Sequence, residues 1–230
     1  MHLADATWQE IAALEGRAIL AVPVGSLEQH GPHLPLNTDT RIAVTLATGL
    51  ADRRPGVVVA PAVAYGASGE HAAFPGTLLM GHRVLADVLI ELVRSARRAF
   101  VGVVLVSAHG GNHYGLQLVE AECRGDGDDV LVWSVRTPGG DAHAGRTETS
   151  LMLAIAPRAV HLDRAEAGCT DPLEVLLPRL RAEGVRPVAS NGVLGDPTGA
   201  TAQEGRDLLA GLSGDLEAAV RARWPEAGTA

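Results

Sequence analysis

Four short runs of apolar residues recur along the chain and alternate with longer stretches in which apolar residues follow helical spacing. The apolar runs are Ala18–Val24, Val57–Val63, Val101–Ser107 and Val130–Val135. Because they are almost continuous in apolar residues, they predict strands buried on both faces. Helices are predicted at Thr40–Arg53, His82–Ala99, Tyr114–Cys123 and Arg146–Ala156. This alternation predicts a three-layer α/β/α fold with a mainly parallel central sheet, in a single domain spanning residues 1–230.

The last third of the chain is less regular. A helix is predicted at Leu173–Ala182, and the stretch "GVRPVASNGVLGDPTG" after it fits a short strand and a loop. A final helix is predicted from Ala202 to Arg223. Its start is marked by "TAQE" at Thr201–Glu204, which fits a capping box, in which the Thr hydroxyl and the Glu carboxylate each accept a hydrogen bond from a backbone N–H. The N-terminal "MHLADATWQEIAALEG" predicts a short capped helix.

Composition and charge exclude several classes of function. The formal net charge is −8 and no cluster of Lys and Arg is present, which argues against nucleic acid and anionic membranes as partners. No apolar run approaches the ~20 residues that a bilayer crossing needs. The N-terminus lacks the pattern of a signal peptide, so we expect a cytoplasmic protein. Cys123 and Cys169 are isolated in the sequence and are expected to be reduced packing residues.

Polar side chains follow each of the four predicted strands. They are Glu28, His30, His33 and Asp39 after the first, Ser68, Glu70 and His71 after the second, His109, Asn112 and His113 after the third, and Asp141, His143 and Glu148 after the fourth. In open α/β sheets the ligand site lies beyond the carboxyl ends of the strands. We therefore expect these residues to converge on one edge of the sheet.

Several of these residues combine into a candidate metal site. Glu28 and His30 are two residues apart and point to the same face if the backbone stays extended, and the two oxygens of Asp39 could bridge a pair of metals. The set of His and carboxylate groups suits Zn, Mn or Fe(II) and excludes a thiolate site. Each feature also has a plainer interpretation: Asp39 and Asn112 as helix caps, His30 as an ordinary loop histidine, and "HGGN" as a turn that needs glycine.

Together these residues resemble the creatininase family of metal-dependent amide hydrolases. The matching segments are "VPVGSLEQHGPHLPLNTDT", "SGEHAAFPGT", "SAHGGN" and "DAHAGRTETSLM", with "GVLGDPTGATAQEG" resembling the closing segment of the family. The "HGGN" turn alone is a weak signal, whereas the series E-x-H, D, HGGN and HAG-x-x-ETS is a strong one. Within the family, the chain is most similar to the short peptidase-like members that process the precursor peptide of mycofactocin, a peptide-derived redox cofactor.

The resemblance implies a creatininase-like fold with two divalent metal ions per subunit, Zn, Fe or Mn. Carried over by motif, Glu28, Asp39 and His109 hold one metal, and His30, Asp39 and Glu148 hold the other. The chain departs from creatininase at Gly111, where that enzyme has a Glu, so that Glu148 is the expected replacement ligand. It departs again at Ala142, where creatininase has a Glu beside its catalytic His. The resemblance also implies a ring-like homo-oligomer, with a hexamer among its forms.

The resulting hypothesis is hydrolysis of an amide by a metal-activated water. His143 is the candidate general acid, and Glu70 and His71 are further candidates for proton transfer or substrate orientation. The substrate-binding candidates are Ser68, Gly111, Asn112 and Asp141. The expected substrate is a modified precursor peptide that loses a C-terminal fragment. The alternatives are a small amide of the creatinine or formamide type and a non-catalytic protein with a structural metal. A dinucleotide-binding enzyme is disfavoured because no G-x-G-x-x-G follows the first strand.

Overall fold

The computed structural model of the chain describes residues 1–14, 16–225 and 227. Its strands are β1 (Ile19–Val24), β2 (Val57–Val59), β3 (Gly102–Ser107) and β4 (Val130–Ser134). They form a parallel sheet in the order β2-β1-β3-β4. The helices are α1 (Trp8–Ala12), α2 (Thr38–Arg53), α3 (His82–Ala96), α4 (His113–Asp126), α5 (Arg146–Ile155), α6 (Leu173–Glu183) and α7 (Ala202–Arg223).

The sheet lies between two layers of helices because its strands are apolar on both faces. Ile19 and Ala21 of β1 point into a core shared with α2, α5 and α7. Leu20 and Val22 of the same strand point into a second core shared with α3 and α4. The predicted three-layer α/β/α fold with a parallel sheet is therefore confirmed. Among the described residues, no helix is both long and apolar enough to cross a membrane.

Some local predictions are wrong. β2 ends at Val59 rather than Val63, because Pro61 has no N–H to donate to the neighbouring strand. Val63 still forms one isolated bridge with Val24. β4 is an edge strand and is only half-buried, not covered on both faces. In the segment after α6, the expected short strand is reduced to one isolated bridge between His143 and Leu194.

The capping box predicted at the start of α7 is only half formed. The Thr201 hydroxyl accepts the expected hydrogen bond from the backbone N–H of Glu204, at 3.1 Å. The Glu204 carboxylate turns away from the helix end and accepts hydrogen bonds from Arg146 Nε and Ser150 Oγ of α5 instead. These bonds fasten α7 to the helix that carries Glu148. A complete capping box occurs at α1, between Thr7 and Glu10.

Candidate active site

The polar residues predicted after the strands gather at the carboxyl edge of the sheet, as the parallel topology requires. Glu28 and His30 lie in the loop after β1, Asp39 in the first turn of α2, His109 directly after β3, and Glu148 in the first turn of α5. All but Glu148, which is partly exposed, are buried. Charged groups are rarely buried unless they are paired or bind a metal. The burial of these ionisable groups therefore indicates that they pair with one another or bind a metal.

Asp39 lies at the middle of this cluster. Its Oδ1 is 3.3 Å from His30 Nε2, its Oδ2 is 3.3 Å from His109 Nδ1, and Ser26 Oγ donates a 2.6 Å hydrogen bond to Oδ2. The interpretation of Asp39 as a helix cap is wrong, because Asn37 holds the N-cap position and the Asp39 side chain faces the cluster. Each Asp39 oxygen therefore faces a different imidazole.

Glu28 is fully buried with no hydrogen bond to either carboxylate oxygen. The nearest ring nitrogens are His109 Nε2, 3.1 Å from Oε2, and His71 Nε2, 3.4 Å from Oε1. Burial raises the pKa of Glu28 to about 7, with the His109 cation opposing it. A buried carboxylate without hydrogen bonds is costly in a protein, and a divalent cation is the ligand that best relieves that cost.

The ligand atoms form three overlapping groups. One atom from each of Glu28, Asp39 and His109 lies within 4.8 Å of the others, and the same holds for His30, His143 and Glu148 and for Glu28, His71 and His143. The first group has the composition predicted for one metal. In the second group, His30 Nε2 is 3.8 Å from Glu148 Oε2. The third member of this group is His143, which was predicted to be the general acid. Mixed imidazole and carboxylate donors fit Zn, Mn or Fe(II).

The charges of the cluster are mutually dependent. Burial by itself would lower the pKa of His30 and of His109, but the carboxylates beside them, chiefly Asp39 for His30 and Glu28 for His109, raise both pKa values to about 10. Burial would raise the pKa of Asp39, yet the His30 and His109 cations hold it well below its usual range. Burial raises the pKa of Glu148 to about 7 against the opposing effect of His30. Binding of a divalent cation by these groups would therefore displace imidazolium protons.

A cleft of about 950 Å³ opens above these ligands. Asp39, His109, His143 and Glu148 line its floor, together with His71. Glu70 lies on its wall with Oε1 4.0 Å from His109 Nε2. Burial, and then the nearby His cations, lower the pKa of His71 to about 3 and that of His143 well below its usual range, so both imidazoles are neutral at pH 7. The other wall is formed by α6, through Leu173, Leu177, Leu180 and Arg181.

The four residues predicted to bind substrate divide into two kinds. Gly111 lines the cleft, and Ser68 is buried with Oγ 3.4 Å from His109 Nε2. Asn112 is buried and holds two loops together, because it accepts from the Ala67 N–H and donates to the Gly25 carbonyl. Asn112 holds the N-cap position of α4, but its side chain makes no capping hydrogen bond. Its predicted contact with substrate stays a prediction.

The Asp141 side chain also has a structural role. Its carboxylate accepts hydrogen bonds from the backbone N–H groups of Arg146 and Thr147, the first two residues of α5. Its predicted binding of substrate stays a prediction. Its effect on the site is indirect, since it stabilises the helix turn that presents Glu148.

Two further histidines of the predicted set lie outside the ligand groups. His33 is buried below the cluster, and its Nε2 is 2.9 Å from Thr149 Oγ1, so that it connects the loop after β1 to α5. His113 is exposed and lines the cleft at the start of α4. Neither belongs to any of the three ligand groups.

Gln29 is the site residue that sequence reasoning missed. Its side-chain Nε2 lies 2.9 Å from His71 Nδ1, 3.1 Å from His143 Nε2 and 2.9 Å from the Gly192 carbonyl. The alternation that places Glu28 and His30 on one face directs the residue between them elsewhere. The sequence signal that could have identified Gln29 is its position as a polar residue between two predicted metal ligands, Glu28 and His30.

The chain matches the family model described as creatininase, creatinine amidohydrolase, over residues 4–220. It is 46% identical over 213 residues to the mycofactocin precursor peptide peptidase of Mycobacterium ulcerans (strain Agy99), covering 89% of this chain and 85% of the relative. It is 33% identical over 196 residues to the creatinine amidohydrolase of Pseudomonas putida, covering 71% of this chain and 75% of that enzyme. A solved structure described as creatininase Mn superposes with a TM-score of 0.79 and 28% identity, covering 97% of this chain and 98% of that one.

Proposed function

Because this chain belongs to the creatininase family, we propose that it is a metal-dependent hydrolase that cleaves a C–N amide bond, and that its substrate is a modified precursor peptide. The observation that carries the proposal is the set of overlapping ligand groups at the floor of an open cleft, with one Asp39 oxygen beside His30 and the other beside His109. The peptide bond to be cleaved is one that releases a C-terminal fragment.

Two divalent metals would be held by five of these residues. Glu28, Asp39 and His109 would hold one ion. His30, Asp39 and Glu148 would hold the other, because Asp39 Oδ1 and Glu148 Oε2 lie 3.3 Å and 3.8 Å from His30 Nε2. Such a pair supplies polarisation of the scissile carbonyl and a lowered pKa of the attacking water. His30 is already oriented for this task, because its Nδ1 lies 3.1 Å from the Glu28 carbonyl and its Nε2 faces the carboxylates.

The remaining side chains of the cleft handle the substrate and its proton. His143 is neutral and lies at the floor, so it can accept a proton from the attacking water and deliver it to the departing amine. Glu70 lies beside His109 at the wall and is in a position to orient the substrate amide. The apolar side chains of α6 provide a surface for the peptide on the opposite wall.

Three observations favour a peptide over creatinine. The identity to the peptide-cleaving relative is 46%, against 33% to the creatinine amidohydrolase. In addition, the residue before His143 is Ala142, so the cleft lacks the Glu that creatininase carries there. A cleft of about 950 Å³ is also large for a substrate of creatinine's size.

The test is to load the protein with Zn, Mn or Fe(II) and incubate it separately with the modified precursor peptide, creatinine and formamide, identifying products by mass. We expect only the peptide to be cleaved. Cleavage of a small amide alone would contradict the peptidase assignment. A purely structural metal would be indicated if His30→Ala unfolds the protein globally; we expect instead that it folds, loses metal and loses activity.

We also propose that residues 1–230 form one domain, that the protein works in the cytoplasm, and that it assembles into a homo-oligomer such as a hexamer. The apolar cores on both faces of a single sheet support the first statement. Light scattering on the purified protein would measure the assembly directly, and a monomeric mass would contradict the last statement.

A further inference from the structure

Helix α6 carries more apolar surface than the fold covers. Leu173, Leu177 and Leu180 recur at intervals of four and three residues, so they lie on one face of the helix, next to Leu176. Leu176 is buried in a small apolar cluster with Val185. Leu173 and Leu177, by contrast, belong to no apolar cluster within the part of the chain that the structure describes, and both line the cleft. One edge of this apolar face therefore packs on the fold, and the other borders the cleft.

An exposed aromatic pair borders the same cleft from α3 and α4. Tyr114 is the second residue of α4 and is 57% exposed, and His82 is the first residue of α3. Their ring centroids are 5.5 Å apart and their planes meet at 88°, an edge-to-face geometry that aromatic pairs prefer. Both side chains line the cleft. Exposed large side chains gathered at a cleft mark a ligand-binding surface, so this pair supplies a second wall for a ligand.

The charges near these walls select against an ionised side chain between them. Leu173, Leu177 and Tyr114 offer no opposite charge, and burying an unpaired charge against apolar surface is costly. Arg181 and Glu183 also line the cleft, but they lie in the last turn of α6 and carry opposite charges. The ligand group that fits between the walls is therefore a neutral, apolar side chain.

We propose that Leu173, Leu177 and Tyr114 form a specificity subsite for a large apolar side chain, aromatic or branched, on the residue beside the bond that is cleaved. The assignment to a peptide substrate rests on the proposed function. The floor of the cleft holds the ligand groups, so a side chain held between the walls would bring its own backbone amide over them. Creatinine carries no such side chain and would gain nothing from the subsite.

Titration of small amides into the zinc-loaded protein tests the subsite independently of peptide cleavage. The probes are the N-acetyl amides of phenylalanine, leucine, alanine and aspartate, and saturation-transfer NMR gives the Kd of each. We expect the phenylalanine and leucine amides to bind about 10- to 100-fold more tightly than the alanine amide, because each buries a large apolar side chain. The aspartate amide should bind no more tightly than the alanine amide. Equal Kd values for the phenylalanine and alanine amides, or tightest binding of the aspartate amide, would overturn the proposal.

Leu177→Ala and Tyr114→Ala each remove part of one wall. We expect each to weaken binding of the phenylalanine amide about 5- to 30-fold while the metal content of the protein stays the same. The matched controls are Val175→Ala and Tyr65→Ala, whose side chains are 64% and 49% exposed and, within the described ranges, lie outside the cleft lining. Both controls should leave the Kd unchanged, and losses equal to those of the two wall variants would overturn the proposal. Tyr114 is exposed, so Tyr114→Ala keeps the test valid even if Leu177→Ala loosens α6.

Kinetics with the modified precursor peptide connect the subsite to catalysis. Leu177→Ala and Tyr114→Ala should lower kcat/KM about 5- to 30-fold, chiefly by raising KM, because both residues lie on the walls and not on the floor of the cleft. A cleaved peptide with unchanged kcat/KM in both variants would overturn the proposal. A protein that binds the phenylalanine amide as expected but cleaves no peptide would contradict the proposed function and still support the subsite.

Discussion

The buried carboxylate of Glu28 gives a sharp prediction about the metal-free protein. Burial moves its pKa from an ordinary value of 4.5 to about 7. The folded chain thus holds this proton more tightly than the unfolded chain, and the contribution of Glu28 to stability falls as pH rises from 4.5 through 7. At 1.36 kcal/mol per pKa unit, the ionised carboxylate costs the fold about 3 kcal/mol at pH 8 but only about 1 kcal/mol at pH 5.

Glu28→Gln removes this cost because the amide is neutral at every pH. In the presence of a chelator at pH 8, the variant is expected to unfold at a higher urea concentration than the wild-type protein, because its free energy of unfolding is about 3 kcal/mol larger. This difference should shrink toward pH 5. With saturating metal the order should reverse, since ligand at 1,000 times Kd adds about 4 kcal/mol to a chain that binds it and less to one that has lost a ligand.

The assay is urea denaturation at fixed protein concentration, at pH 5 and pH 8, with chelator and with metal. Glu174→Gln serves as the control, because it changes an exposed carboxylate in the first turn of α6 by the same chemistry. It should show neither the pH-dependent gain nor the reversal. A cost of burying the ionised Glu28 carboxylate is excluded if metal-free Glu28→Gln is no more stable than wild type at pH 8, or if metal stabilises both proteins equally.

Three further predictions follow from the same geometry. At pH 8 the metal-free protein holds protons on His30 and His109, whose pKa values are about 10, so metal binding should release about two protons per subunit, measurable by calorimetry in buffers of different ionisation enthalpy. Gly111→Ala should lower kcat/KM about 10- to 100-fold, because a Cβ there would clash with His109 Nε2, whereas Gly110→Ala, with nothing within 4 Å of its Cβ, should not. Asp141→Ala should cost about 1 kcal/mol of unfolding free energy in denaturant and weaken metal retention, and an unchanged metal content would contradict its role in supporting α5.

The sequence by itself determined the framework of the site. Continuous apolar runs can be buried only as strands covered on both faces, and parallel strands bring their carboxyl ends to one edge. That logic was sufficient to bring Glu28, Asp39 and His109 together from three separate segments, with donor types that suit a divalent metal. It also explains why Glu148 arrives from the first turn of α5.

Only the tertiary structure decided which polar residues serve the site and which serve the fold. Asp141 and Asn112 bond to backbone groups nearby in space, while Gln29 reaches imidazoles 42 and 114 residues away. A side chain's hydrogen-bond partners depend on distances across the packed core, and spacing along the chain does not encode them. For the same reason the Glu204 carboxylate contacts Arg146 instead of capping its own helix, and His33 contacts Thr149 of α5 instead of joining the ligand groups.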